Sequence, residues 1–190
     1  MPATVDPRAL QGVELFDNLT TQQAGEILVA CSEILCTAGR VIFESGQSDR
    51  ALYILLDGTV EVDVASPRAG DRQLAQLEKG SVFGESSFFH ASPHSATVKA
   101  LTDARLLRLD RDQFAALLQQ DNVAALRVAA NSAKILAAKL QQADRCIAGL
   151  LEAYAGEKIH EAYGRFRASM GHSFSSGSGS SMTPGGLHNG

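Results

Sequence analysis

Alternating apolar and polar residues between positions 40 and 110 constrain the fold of this chain more than any other feature. In the stretch TVEVDV, which begins at Thr59, the valines share one face of an extended chain and the polar residues share the other. Similar short segments follow one another, separated by glycine-bearing turns such as Asp57-Gly58. They predict strands at residues 41–44, 51–56, 59–65, 73–77, 96–101 and 105–109. Many short strands at this spacing favour a β-sandwich or barrel.

Helical signals lie on both sides of the predicted strands. Thr20 followed three residues later by Gln23 matches the capping box found at helix starts. Asp110 followed by Gln113 repeats this signal directly after the last strand. The sequence therefore predicts an α+β, mostly β fold, with helices before and after the strands.

A heptad pattern begins near residue 122 and continues for four heptads. Its a and d positions are Leu126, Ala129, Ala133, Leu136, Leu140, Ala143, Ile147 and Leu150. Lys139 and Asp144 fall at g and the following e, which face each other in a parallel coiled coil. The same stripe could instead pack on the β-domain of its own chain. A helix of this length spans about 45–50 Å, which is longer than one small barrel, so we predict a parallel homodimer.

Composition and cysteine content exclude several classes of protein. The formal net charge of −4 gives no general affinity for nucleic acid. No apolar run approaches the length of a membrane helix, and the first residues lack the pattern of a secretory signal, so we expect a cytoplasmic protein. The three cysteines, Cys31, Cys36 and Cys146, form no CxxC pair, which favours buried apolar residues over a disulfide or a metal site.

Residues 80–100, GSVFGESSFFHASPHSATVKA, have the chemistry of a cradle for a small anion. Gly84 lets the backbone approach a ligand closely. A helical turn starting at Glu85 leaves unpaired N–H groups at its positive end. The Glu85 carboxylate can accept hydrogen bonds from ligand hydroxyls, and the Ser95 hydroxyl can donate one.

Phe83-Gly84-Glu85 and Ser95-Ala96-Thr97-Val98 resemble the phosphate-binding cassette of the cyclic nucleotide-binding domain family. The resemblance covers roughly residues 15–150 and implies an antiparallel, jelly-roll-like β-roll, flanked by N-terminal helices and a long C-terminal dimerisation helix. It implies that Glu85 accepts from the ribose 2′-hydroxyl, and that backbone N–H groups with Ser95 hold the cyclic phosphate. The residues expected at the ligand are Phe83, Gly84, Glu85, Ser86, Ser87, His94, Ser95, Ala96 and Thr97.

His94 stands where the family has the arginine that pairs with the phosphate. A neutral imidazole offers one donor and no fixed charge, so cyclic nucleotide would bind about ten- to a hundredfold more weakly, or the pocket would take another ligand or none. If protonated His94 meets the phosphate, affinity rises as the pH falls. The family's base-facing Thr-Ser pair corresponds to Lys139 and Leu140, so the choice between adenine and guanine is not readable.

The resemblance implies a stand-alone sensor of cAMP or cGMP that is not an enzyme, has no cofactor, and relays binding through its C-terminal helices to a protein effector. Residues 156–190 are too few for the winged helix-turn-helix of family members that regulate transcription, so direct DNA binding is not expected. Two alternatives remain. One is a degenerate β-roll that only dimerises or docks a partner. The other is a metal cupin using Glu85, His90 and His94.

These assignments divide the chain into five parts. They are an N-terminal extension at 1–14, the β-roll domain at 15–120, the dimerisation helix at 121–155, a short amphipathic helix at 156–170 and a disordered Ser/Gly-rich tail at 171–190.

Overall fold

Two four-stranded antiparallel sheets lie within the first compact part of the chain, which ends at Lys139. The computed structural model describes residues 5–66, 70–90, 92–153, 161 and 163–165. The strands are β1 (Cys31–Cys36), β2 (Val41–Phe43), β3 (Ala51–Asp57), β4 (Val60–Ser66), β5 (Gly70–Leu77), β6 (Val82–Phe83), β7 (Thr97–Ala100) and β8 (Ala104–Asp110). One sheet has the strand order β1-β8-β3-β6 and the other β2-β7-β4-β5. This arrangement confirms the predicted β-roll.

All six predicted strands are present, and β1 and β6 are additional. β6 has only two residues, which is too short for alternation to be recognised. β1 is an edge strand whose middle residues are only partly buried, and its Leu35 side chain is 70% exposed. Its apolar residues therefore do not mark one buried face.

β3 carries side chains of two separate hydrophobic cores. Tyr53 and Leu55 contribute to the core between the sheets, while Leu52 and Ile54 contribute to the core beneath the helices. Because both faces are covered, β3 is a continuous apolar run and not an alternating one.

Between residues 5 and 153 the described part of the chain also contains the α-helices α1 (Thr21–Leu28), α2 (Glu85–His90), α3 (Arg111–Gln119) and α4 (Val123–Ala153). Both predicted helix starts are confirmed. The Gln23 N–H donates to the Thr20 hydroxyl at 3.2 Å, and the Thr20 N–H donates to the Gln23 side-chain oxygen at 3.0 Å. The Asp110 carboxylate accepts from the backbone N–H groups of Asp112 and Gln113 at 3.0 and 3.2 Å.

The first half of α4 packs inward through small and apolar side chains. Those buried are Ala124, Ala125, Val128 and Ile135. Asn131, also buried on this face, donates to the carbonyl oxygens of Leu15 at 3.1 Å and Asp17 at 2.9 Å. Two hydrogen bonds from one amide fix the rotation of α4 about its axis.

The large residues of the predicted heptad stripe lie away from this inward face, whereas Ala129 of the stripe packs against the core beneath the helices. Leu126 is 50% exposed and Leu136 is 37% exposed, so the alternative in which the stripe packs on its own β-roll is wrong for these residues. Farther along α4, Leu140 and Leu150 are 52% and 58% exposed. Ala133 and Ala143 are exposed as well, while Ala129 and Ile147 are half-buried.

The chain divides into two compact units, one ending at Lys139 and the other beginning at Leu140. Within the second unit, the Tyr163 hydroxyl donates to Asp144 Oδ1 at 3.1 Å. The predicted short helix at 156–170, apart from 161 and 163–165, and the predicted tail at 171–190 lie outside the described residues. None of the described helices has the length and apolarity needed to cross a membrane.

The cysteine prediction is correct for two residues and wrong for the third. Cys31 and Cys36 are buried, and burial raises the pKa of the Cys31 thiol to about 12. Cys146 is exposed, as are its neighbours Arg145, Ala148 and Gly149 on the second half of α4.

Candidate functional site

A tight turn between β6 and α2 positions Glu85. Gly84 forms the turn with a φ of +86°, and a Cβ added there would lie 2.9 Å from the carbonyl oxygen of Ala51. Only glycine combines that dihedral angle with so close an approach of two backbones. Glu85 follows as the first residue of α2 and is 9% exposed. The sequence thus places a nearly buried carboxylate immediately after an obligatory glycine.

Lys139 of α4 neutralises this carboxylate. Its Nζ forms an ion pair with Glu85 Oε1 and also donates to the carbonyl oxygen of Val82 at 2.9 Å. The Lys139 side chain is half exposed, whereas that of Glu85 is 11% exposed. The sequence predicted that Lys139 faces Asp144 of a second copy. Within one chain it instead binds Glu85.

Phe83 and the two serines of α2 differ in their surroundings. Phe83 is buried in the core between the sheets. Ser87 is buried, and its hydroxyl lies 2.9 Å from the carbonyl oxygen of Asp49 and 3.0 Å from that of Gly84. Ser86 is exposed. The Ser87 hydroxyl therefore ties α2 to the loop before β3, and of these three residues only Ser86 is open to a ligand.

His94 is buried against an aromatic cluster. Its ring stacks on Phe43 with centroids 3.7 Å apart, and Phe43 in turn contacts Tyr53 and Phe83 at 5.4 and 6.0 Å. His94 is 5% exposed, and its Nε2 has no hydrogen-bond partner among the described residues. Its backbone is held by two bonds to the β2–β3 loop, one to the Gln47 carbonyl oxygen at 2.9 Å.

Burial lowers the pKa of the His94 imidazole below its ordinary value, and the nearby Asp49 carboxylate offsets only part of this effect. His94 is therefore neutral near pH 7. In this structure the imidazole ring lies against Phe43. Its contact with a phosphate stays a prediction.

The three residues after His94 lie at the start of β7. Ser95 is exposed, and Ala96 and Thr97 are half-buried. The Thr97 hydroxyl accepts from the backbone N–H of Ser45 at 3.1 Å, so it joins β7 to the turn after β2. Ser95 is thus the hydroxyl of this segment that a ligand can reach.

A polar network beside His94 was not found from the sequence. Asp49 accepts from Arg108 Nη2 at 2.8 Å and from the Tyr53 hydroxyl. Burial acts to raise the pKa of Asp49, but the hydrogen bonds from Arg108 and Tyr53 outweigh it and bring the pKa below its usual value. Burial and Asp49 together raise the pKa of Tyr53. One feature of the sequence could have indicated this network: Arg108 places a charge at an inward position of β8, two residues after the buried Leu106.

Within the described part of the chain, no group of three or more His, Cys, Asp or Glu side chains is placed to hold a metal ion. His90, which the cupin hypothesis requires, is exposed at the end of α2, whereas His94 is buried on Phe43. The site offers instead the buried Glu85 carboxylate, two exposed serines that follow it in the sequence, Ser86 and Ser95, and the neutral His94 imidazole.

Comparison with known proteins gives a consistent result. The family profile of the cyclic nucleotide-binding domain matches residues 34–121. The cyclic AMP receptor protein of Thermus thermophilus is 32% identical over 135 residues, which are 71% of this chain and 61% of that protein. The cAMP-dependent protein kinase regulatory subunit of Mycosarcoma maydis is 29% identical over 144 residues, 64% of this chain and 27% of that protein.

The crystal structure of the Thermus thermophilus catabolite activator protein has a TM-score of 0.66 at 31% identity, covering 72% of this chain and 62% of that one. This chain thus spans less than two thirds of the length of each of these relatives. The matched residues contain both sheets' central strands, the turn at Gly84, Glu85 and His94, whereas Lys139 lies outside them. Residues 34–121 of this chain are a domain of the cyclic nucleotide-binding family.

Proposed function

We propose that this chain is a regulatory module that binds a cyclic nucleotide, cAMP or cGMP, and that it is not an enzyme. The observation that carries the proposal is Glu85, a nearly buried carboxylate held directly after the Gly84 turn within a cyclic nucleotide-binding domain. Two relatives are named for cAMP, one as its receptor and one as a kinase regulatory subunit. Glu85 would accept from a ribose hydroxyl, and backbone N–H groups with the Ser95 hydroxyl would bind the phosphate.

Affinity should be modest because His94 is neutral and buried. A charge-assisted hydrogen bond to phosphate is worth about 1.5–3 kcal/mol, and without it the affinity is about ten- to a hundredfold lower than with an arginine.

The exposed leucines of α4 support a second part of the proposal, a parallel homodimer. Leu126, Leu140 and Leu150 repeat along one stripe and are each at least half exposed. A second copy would bury them. The ion pair between Lys139 of α4 and Glu85 would connect the ligand site to this helix, and through it to a protein effector.

Isothermal titration calorimetry of the full chain with cAMP, cGMP and the non-cyclic control AMP tests the proposal. A cyclic nucleotide should bind and AMP should not. Glu85→Gln should weaken binding at least tenfold, since an uncharged amide is a poorer acceptor for a hydroxyl. The matched control is Glu78→Gln, a change at an exposed carboxylate before β6. Binding that is equal in Glu85→Gln and the wild type would show that the site is elsewhere.

A degenerate β-roll is the second candidate, and one observation favours it: Glu85 is already paired with Lys139. This candidate predicts no heat with any cyclic nucleotide and no thermal shift, although a ligand at a hundred times its dissociation constant would add about 2.7 kcal/mol of stability. The dimer would still form.

A further inference from the structure

Lys139 makes the one ion pair that the described residues provide to Glu85. The two side chains are 54 residues apart in sequence and join α4 to the start of α2. Lys139 Nζ has a second acceptor, the carbonyl oxygen of Val82 at 2.9 Å, in the strand that leads into the Gly84 turn. An ammonium has three donor hydrogens, and two of them are directed to these oxygens.

The carboxylate and the carbonyl hold the ammonium at one point. The Glu85 side chain is 11% exposed, so its charge is poorly solvated and depends on Lys139 for neutralisation. A ligand hydroxyl that approaches Glu85 meets a carboxylate whose oxygen already accepts from a charged donor. The Lys139 ammonium and the ligand hydroxyl therefore compete for the Glu85 carboxylate.

The release of Lys139 from Glu85 costs little free energy. Its side chain is half exposed, and an ammonium at the end of four methylenes can swing into water while the rest of the side chain stays on the surface. Glu85 lacks that freedom, because it is nearly buried at the first position of α2. Exchange therefore moves the lysine and leaves the carboxylate in place.

We propose that Lys139 sets the ligand affinity of this site as an internal competitor: its ammonium occupies Glu85 in the free protein, and a cyclic nucleotide binds Glu85 as Lys139 leaves. This inference rests on the proposed function. It makes Lys139 a positioning residue that couples the site to α4. Because linkage is reciprocal, whatever holds Lys139 on Glu85 weakens ligand binding, and ligand binding releases Lys139.

Calorimetry with cAMP and cGMP on the full chain compares the wild type with Lys139→Met, which removes the ammonium and keeps most of the side chain. Lys139→Met should bind about three- to tenfold more tightly, the range expected for a half-exposed ion pair with one buried partner. Lys139→Arg keeps a cation and should retain the wild-type affinity. Lys134→Met, at an exposed lysine five positions earlier on α4, should do so too.

Hydrogen exchange gives a readout that a purely structural role would not change. In the wild type, cyclic nucleotide should speed amide exchange at residues 135–139 of α4. In Lys139→Met, exchange there should already be faster and should not respond to ligand. If Lys139→Met does not fold, Lys139→Gln, which can still donate to Val82, serves for both measurements.

The outcomes separate this inference from the proposed function. If the wild type binds and Lys139→Met binds equally or more weakly, Lys139 is not a competitor, while the proposed function stands. If neither the wild type nor any Lys139 variant binds a cyclic nucleotide, the proposed function fails and the competitor role fails with it. Tighter binding by Lys139→Met, with the wild-type affinity kept by Lys134→Met, supports both.

Discussion

Replacing Gly84 by alanine tests the turn that carries Glu85. A Cβ at this position would lie 2.9 Å from the Ala51 carbonyl oxygen and 3.2 Å from Tyr53 Cδ2. A non-glycine residue in the left-handed region costs about 1–2 kcal/mol. The contact adds about 1–3 kcal/mol because Ala51 belongs to β3, whose backbone is paired with β8 and cannot move away freely. Gly84→Ala should therefore lower the free energy of unfolding by about 2–5 kcal/mol.

Gly80→Ala is the matched control. Gly80 has a φ of +91°, and a Cβ added there meets nothing within 4 Å. This variant should lose only about 1–2 kcal/mol. Both variants gain the same small stabilisation, about 0.4–1 kcal/mol, from a less flexible unfolded chain, so the difference between them isolates the contact with Ala51. Urea unfolding followed by circular dichroism measures both, with m-values compared. Equal losses would refute the argument.

Two further predictions concern pH and assembly. Burial lowers the pKa of His94 from 6.5, so the folded state binds fewer protons than the unfolded chain as the pH falls through and below this value. The free energy of unfolding should thus decrease between about pH 7.5 and about pH 5.5, and His94→Phe should flatten this part of the urea-derived profile. Leu136→Glu and Leu140→Glu replace exposed leucines, so each variant should keep the wild-type circular dichroism spectrum while sedimentation equilibrium shifts from dimer to monomer. A monomeric wild type would contradict the second prediction.

Local patterns were enough to predict most of the β-roll. Val60 of β4 is buried and Val62 packs against the core between the sheets, on the face that the alternating valines predicted. The caps at Thr20 and Asp110 depend on residues within three positions of each other. β6 could not be recognised because a two-residue strand is defined by its partner, β3, which lies some thirty residues earlier in the chain.

The site shows the same limit more clearly. Gly84 and Glu85 could be selected from their order in the sequence alone. The partner of Glu85 could not, because Lys139 lies 54 residues away in sequence and contacts it only in the folded first unit, to which both residues belong. Likewise, the burial of His94 on Phe43 depends on two loops meeting, and a histidine in a polar, proline-containing segment gives no sign of it. Sequence order identifies the groups at this site, and tertiary packing decides their charge state and availability.

α4 shows why a heptad can be recognised in a sequence while the buried residues between its positions are not. The inward face of its first half uses mainly small residues, Ala124, Ala125 and Val128, together with the polar Asn131, and Ile135 is the large apolar residue buried there. The leucines of the stripe, Leu126, Leu136, Leu140 and Leu150, are exposed, whereas Leu151 beside the stripe is buried. A helix that needed only to cover its own β-roll would carry large apolar residues on one face. Two differently composed faces on one helix agree with the proposal that α4 holds its own domain and also meets a second chain. Under that proposal Lys139, which binds Glu85 and is followed directly by Leu140 of the stripe, lies at the junction of the two functions.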